Sequence, residues 1–475
     1  MKTEVNLIRF EYIINIKQMK KAIYNRREFV KQNSMAGIGA AIGMSVAPKF
    51  LTEIINESDK PAILGGKKAF TKEWPVWPQW KDAYDNQLIE VMKSGVWSRS
   101  TVVDEFEKKW AELIGTKRAL GVVNGTNALI ASLVQLGIGG GDEVLVTPYT
   151  WISSVQSVLI AGAIPVFVDI DPETYQMDPD KIEAKITPRT RAIMPVHILG
   201  LPANMERIMP IAKKHNLIVV EDACQGWLAE INHKKVGTFG NAGCFSFQTT
   251  KHLPLGEGGA IVSDDENFMD RCYSYHNVGF PHGAVIGAVG IGSVMLGTKQ
   301  RLTEYQAAIG LAQLGVFDEQ TTLRNEHAAY LRSQISKIPG IKPYRLYDNV
   351  TRASFHMFAF RYKKEEFKGL PRDQFLKALS AEGVSNMSGY APYLNKQPYL
   401  EDAFQSKNFK RMYSKEDLDF KKYSAQNECP ENDKLCMEAV WLPQFILLAD
   451  KTDLDKIPEA IEKIRMNAEE IKNIK

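Results

Sequence analysis

One lysine in this chain stands where a charged side chain is expensive. Lys251 follows an apolar, β-prone run, Gly243 to Phe247, and precedes a Gly256-Glu-Gly-Gly259 turn into a second apolar strand, Ala260 to Val262. Desolvation between two buried strands disfavours the ammonium form. A lysine so placed can act as an amine nucleophile that forms a Schiff base with a carbonyl carbon. Alone it reads as a solvated loop lysine; the other strand ends change that reading.

Asn124-Gly125-Thr126-Asn127 lies between a strand and a helix. Free N–H groups and the helix dipole make an anion site there, and Thr126 adds a hydroxyl. The plainer reading is a turn and helix cap. Trp151 opens the next helix, where an indole can stack on a flat ring or join the core. The strand Leu217 to Val220 ends in Glu221 and Asp222. A carboxylate there needs a partner. Asp222 can hold a protonated ring nitrogen, each favouring the other's charge, or serve as a cap or ion pair. Ser246, on the strand leading to Lys251, can give a hydroxyl to the same anion or bond to nearby backbone. An anion cradle, a stacking aromatic, a ring-nitrogen acid and a Schiff-base lysine thus follow one another in chain order. Those are the parts that pyridoxal 5'-phosphate requires, a cofactor that supplies an electron sink while the protein fixes its phosphate, ring charge and amine.

Strand-like and helix-like runs alternate around these residues. Strands are expected at Arg118 to Val123, Glu143 to Val146, Pro165 to Val168, Ala192 to Met194 and Leu217 to Val220, with the pair flanking Lys251 closing the series. Helices are expected at Asn124 to Leu136, Trp151 to Ala161 and Met205 to His215. Continuously apolar strands alternating with helices argue for an α/β fold, a mainly parallel sheet covered on both faces. Such sheets bind ligands beyond the carboxyl ends of their strands, where the residues above fall. Further on, two amphipathic helices (Leu302 to Val316 and Asn325 to Ile338), a strand (Ser354 to Tyr362) and helices at Arg372 to Glu382 and Lys456 to Ile471 suggest a small α+β domain. The expected domains are 61–315, large and cofactor-binding, and 316–475, small.

The 475 residues carry a net charge of only +3 on 59 basic and 56 acidic side chains, which gives no footing for nucleic acid. Five scattered cysteines show neither metal spacing nor a disulfide framework, so no metal is expected; Cys429 and Cys436 alone are close enough for one optional bridge. Residues 1–60 stand apart as a signal and linker. Asn25-Arg-Arg-Glu-Phe-Val-Lys31 precedes an uncharged stretch, Gln32 to Pro48, which resembles a Tat export signal and implies a Tat translocon as partner. The expected location is periplasmic or membrane-associated, the alternative cytoplasmic.

Several longer motifs occur in one order: Gly125-Thr126, Gly141-Asp-Glu-Val144, Thr150-Trp151, Gly162 to Asp169, Pro195 to Gly200, Glu221-Asp-Ala-Cys-Gln225, Phe245-Ser-Phe247, Lys251, Gly256 to Gly259, and Tyr305 to Gly310 with Gln313-Leu314. From about Pro61 to Ile471 the chain resembles the sugar aminotransferase (DegT/DnrJ/StrS) family of fold-type-I pyridoxal phosphate enzymes. The resemblance implies a seven-stranded, mainly parallel sheet sandwiched by helices, with a small C-terminal domain. It makes Lys251 the Schiff-base lysine and sets Asp222 opposite the pyridine nitrogen, Trp151 on the ring and Gln225 near the phenolic oxygen. Gly125, Thr126, Asn127 and Ser246 would hold the phosphate. Family members form homodimers with shared sites, an asparagine of the neighbouring chain usually reaching the phosphate; here Lys299 takes its place in Gly297-Thr-Lys-Gln-Arg301. Gln248 replaces a common histidine, as in the cyclitol- and aminobenzoate-forming branches, and is a candidate substrate contact.

The implied activity is transfer of an amino group from glutamate or glutamine to a keto-sugar or keto-cyclitol. A pyridoxal phosphate-dependent dehydratase is the nearest alternative, but dehydratase relatives replace the lysine with histidine. A cofactor-binding protein without turnover is the other, and the intact Lys251 and Asp222 speak against it.

Overall fold

Seven short apolar segments supply the central sheet of the computed structural model, which describes residues 59–283, 292–390 and 393–474. The Tat-like segment at 25–48 lies outside the described residues. The strands are β1 (Arg118–Val122), β2 (Glu143–Val146), β3 (Ile164–Phe167), β4 (Thr190–Met194), β5 (Ile218–Asp222), β6 (Ala242–Ser246) and β7 (Gly259–Ser263). They lie in the order β1-β7-β6-β5-β4-β2-β3. Only β7 runs against the rest, paired antiparallel to both β1 and β6. The expected seven strands and their mainly parallel arrangement are therefore present, each within a residue or two of its predicted place.

Side chains alternate across each strand, so a sheet covered on both faces must be apolar at every position. Val144, Val146 and Cys244 face one core, with Leu129 and Leu133 of a helix at Gly125–Gln135. Leu145, Phe245 and Val262 face the other, with Trp110 and Ile208. The chain from Leu394 to Cys429 also packs into the first of these cores. A stretch expected to belong to the small domain thus helps to cover the large sheet.

A second, antiparallel sheet holds β8 (Ile341–Pro343), β9 (Met357–Tyr362), β10 (Met387–Ser388) and β11 (Ala439–Pro443) in the order β8-β9-β11-β10. Its core takes in Tyr149, Val196, Ile198 and Leu199 from the loops after β2 and β4. That packing sets this layer over the carboxyl ends of the parallel strands. Instead of two helices near residue 315, one continuous helix of 32 residues, α1 (Glu304–Ile335), crosses the expected boundary. A capping box between Thr303 and Gln306 starts it, and Gly315 interrupts nothing. The suggested bridge between Cys429 and Cys436 is absent, both thiols being free and buried. Cys429 caps the helix Pro430–Glu438 and Cys436 lies within it, seven positions on, or about 10 Å along its axis.

The first described residues cross to the C-terminal layer, where Glu382 holds them. Its fully buried carboxylate accepts from Ala62 N at 2.7 Å, Ala69 N at 2.8 Å and Lys463 Nζ at 3.0 Å. Glu382→Ala leaves that lysine buried without its acid, and a loss of about 3–5 kcal/mol in urea unfolding is expected. Limited proteolysis between residues 60 and 75 should become faster in the same variant; unchanged protection there would contradict the anchoring role.

Candidate active site

The strand β5 ends in two carboxylates, and the pleat sends them to opposite faces. Glu221 is fully buried and completely used: it accepts from the backbone N–H groups of Gly237 at 2.8 Å and of Phe239 and Gly240 at 2.7 Å. His197 Nε2 completes the set at 3.0 Å. Because His197 Nδ1 accepts from Ala203 N, its ring proton sits on Nε2 and is donated to Glu221. Asp222 turns the other way. Its Oδ2 accepts from Ser154 Oγ at 2.7 Å and its Oδ1 from Cys224 N at 3.1 Å. It is 4% exposed, and no ion pair reaches it among the described residues.

Asp222 borders a cavity of about 540 Å³ that lies between the strand ends and the C-terminal layer. Gly125, Thr126, Trp151, Gln225, Ser246, Gln248 and Lys251 line it as well. Of the residues expected in the site, two lie elsewhere. Asn127 folds back, its backbone and side-chain nitrogens both donating to the N-cap oxygen of Asn124. Lys299 is exposed and bridges to Asn277, away from the cavity of its own chain.

Each wall has its own cause. Gly125 opens the helix Gly125–Gln135, whose first N–H groups point out of the helix as such groups must. A Cβ at Gly125 would lie 2.6 Å from Cys224 Sγ and 2.8 Å from the Cβ of Ser246, so only glycine lets the three segments meet. Trp151 is the N-cap of the helix Ile152–Ala161 and is 60% exposed. A tryptophan held open beside a cavity offers its face to a ring; the core reading does not hold. Gln225 is fixed at both ends, accepting from Leu199 N at 2.8 Å and donating to Tyr390 Oη at 3.1 Å.

Lys251 sits in the turn between β6 and β7. Phe247 N to Gly258 O at 2.8 Å and Thr249 N to Gly256 O at 2.9 Å close the loop. Gly256 takes a φ of 82°, which a residue with a side chain rarely adopts. The lysine keeps a partly exposed face on the cavity while its amine lies deep, and burial brings its pKa down to about 8. Asp222 opposes that shift. The Cys224 thiol, itself pushed well up by burial, stays neutral at ordinary pH.

These surroundings fit pyridoxal 5'-phosphate on features of their own. A helix N-terminus with two hydroxyl side chains, Thr126 and Ser246, suits a phosphate. A buried carboxylate without a cation suits a protonated ring nitrogen, and an amine brought near neutrality suits attack on a carbonyl carbon.

The C-terminal layer contributes residues that strand-end reasoning missed. His356, Met357, Met387, Tyr390 and Trp441 complete the lining. Tyr390 packs edge-on against Trp441 at 4.6 Å and Tyr149 at 5.2 Å, and Trp441 Nε1 donates to Tyr149 Oη. No local pattern marks them, since tertiary packing alone brings them to the strand ends. Ser154 was missed as well, although its spacing from Thr150 was a signal: the two hydroxyls, four residues apart, share a 2.7 Å hydrogen bond beside Asp222.

Residues 78–462 match the profile of the DegT/DnrJ/EryC1/StrS aminotransferase family. A putative L-glutamine:3-amino-2,3-dideoxy-scyllo-inosose aminotransferase of Streptoalloteichus tenebrarius is 34% identical over 421 residues, 86% of this chain and 99% of its own length. An L-glutamine:2-deoxy-scyllo-inosose aminotransferase of Streptomyces kanamyceticus is 31% identical over 86% of this chain and 97% of its own. The crystal structure of 3-amino-5-hydroxybenzoic acid synthase superposes with a TM-score of 0.71 at 31% identity, covering 82% of this chain and 98% of that one.

Only the neutral amine attacks a carbonyl carbon. Capture of pyridoxal phosphate by the cofactor-free protein should therefore quicken as pH rises and level off above about 8. A rate still climbing toward 10.5, the ordinary lysine value, would place the amine in solvent. Asp222→Asn should lower kcat by about a hundred- to a thousandfold while Lys251-dependent absorbance persists.

Proposed function

The chain belongs to the DegT/DnrJ/EryC1/StrS aminotransferase family as a pyridoxal 5'-phosphate-dependent transaminase, and we propose that it moves an amino group from glutamine to a keto-cyclitol. The observation that carries the chemistry is the meeting of Lys251, Asp222 and the Gly125 helix N-terminus in one cavity. The donor and acceptor rest on the named activities of the relatives, which share glutamine and an inosose.

When bound, the cofactor supplies an electron sink that lets an amine's α-proton leave. In our reading Gly125, Thr126 and Ser246 hold its phosphate, and Trp151 covers its ring. Asp222 keeps a proton on the ring nitrogen, with Ser154 and Cys224 N fixing the carboxylate. Gln225 stands toward the phenolic oxygen, its carboxamide steadied by Leu199 and Tyr390. The Lys251 amine takes the donor's α-proton at Nζ and later returns it. Gln248 stands at the acceptor side.

A homodimer is the second part of the proposal. Val96 is exposed beside Tyr273 and His282, the neighbouring Trp97 is exposed too, and Val294 and Leu296 are exposed beyond them. Lys299 lies on this flank, where a lysine serves a neighbour's phosphate as a point charge. The third part is export through the Tat-like segment, read from residues 19–60 alone.

Stopped-flow spectra with single amino donors test the first part. Glutamine is expected to convert the bound cofactor, and scyllo-inosose to restore it; Lys251→Ala should abolish both changes. Conversion by glutamate alone would displace glutamine as donor. Mixing Lys251→Ala with Lys299→Ala subunits should regain activity if sites are shared, and no gain would place Lys299 outside the site. A reporter fused behind residues 19–60 should leave the cytoplasm.

A further inference from the structure

The Lys251 amine has a polar neighbour from outside the seven-stranded sheet. His356 Nε2, just ahead of β9, stands 3.4 Å from Lys251 Nζ. The ring is 4% exposed and lines the cavity. Its other nitrogen, Nδ1, is buried without a hydrogen-bond partner. Trp227 and His252 pack against it at 5.9 and 6.1 Å, and Ser354 Oγ, bonded to Trp227 O, ties down the segment that carries it.

The groups around this pair leave the imidazole neutral. Burial pushes His356 well below the ordinary histidine range, and the positive charges of Lys251 and Arg324 push the same way. His252 is lowered by burial first, then by Arg324, His356 and Lys251. Arg324 is fully buried, donating to Gln444 Oε1 at 2.9 and 2.6 Å and lying over Trp77, and no carboxylate pairs with it among the described residues. Asp222, Cys224 and Glu257 face the lysine from the sheet side.

A neutral imidazole has one donor and one acceptor nitrogen. The ammonium form of lysine offers only hydrogens, so toward it Nε2 takes the acceptor role and the ring proton sits on Nδ1. With no base at Nδ1, the ring can hold a hydrogen of the amine but cannot pass it onward. We propose that His356 is a positioning residue for the reacting amine, fixing Lys251 Nζ through Nε2 and keeping the amine's proton inside the site. The proposal rests on Lys251 being the reacting amine. A proton taken up at Nζ then stays shared with Nε2 until it is returned.

The test uses the cofactor-free, full-length protein. Lys251 is titrated by competitive acetylation with acetic anhydride and peptide mass spectrometry, in the wild type and in three variants. His356→Leu removes the acceptor, His356→Asn holds one too short to reach, and His356→Gln restores one near the Nε2 position. Accepting a hydrogen bond favours the ammonium form. Leu and Asn should therefore lower the Lys251 midpoint by about one pH unit, and Gln should return it to the wild-type value. If Leu fails to fold, the Asn and Gln pair still decides. A midpoint unmoved in Leu and Asn, raised by them, or lowered equally in all three variants overturns the proposal. In the loaded enzyme, deuterium from α-deuterated glutamine should be retained in the product by wild type and Gln but lost to solvent by Leu and Asn; equal retention in all overturns the proton-keeping role. The assignment of Lys251 as the reacting amine fails separately, if Lys251→Ala keeps the cofactor's lysine-dependent absorbance.

Discussion

Two adjacent carboxylates at the end of a buried strand cannot face the same way, and this molecule depends on how they are parted. Glu221 receives four hydrogen bonds and locks the turn at Gly237 to Gly240 against the end of β5. Leaving so buried a carboxylate unpaired would cost several kcal/mol. Asp222, one residue on, inherits a fixed backbone and has no ion pair among the described residues. The lysine on the neighbouring loop is then held at a set distance from a set acid. Structural and chemical duties are divided between two residues that look alike in sequence.

Much of this was legible because it is local. The seven strands announce themselves as apolar runs, and the ligand-facing residues follow from the rule that parallel sheets bind at their carboxyl ends. Gly125 reads as a helix start, and packing explains why no other residue serves there: its Cβ would collide with Cys224 and Ser246. Glu221 and Asp222 were visible as a pair, but their division of labour needed His197, 24 positions away. Trp151 was ambiguous until its exposure could be seen.

The remainder is non-local. His356, Tyr390 and Trp441 reach the cavity because a second sheet closes over the strand ends, and no spacing encodes that approach. The division at residue 315 follows the change in the pattern of helices and strands, whereas the cores follow contact. Leu394 to Cys429 returns to the large sheet, and residues near Ile63 and Leu64 join the C-terminal layer. Cys429 and Cys436 are near in sequence but belong to different cores, which is why proximity misled there.

The helix Glu304–Ile335 has a mechanical meaning as well. At 1.5 Å per residue it is a strut of roughly 48 Å, unbroken by proline, with Ala307 and Phe317 in the core of the large sheet and Leu331 and Ile335 in that of the second layer. The two layers are thus joined through one continuous rod and not through a jointed pair of helices. The same rod ties the two halves of the amine's surroundings: its Gln313 donates to Pro254 O in the loop that carries Lys251, and its Asn325 bonds to Ala353 in the segment that carries His356.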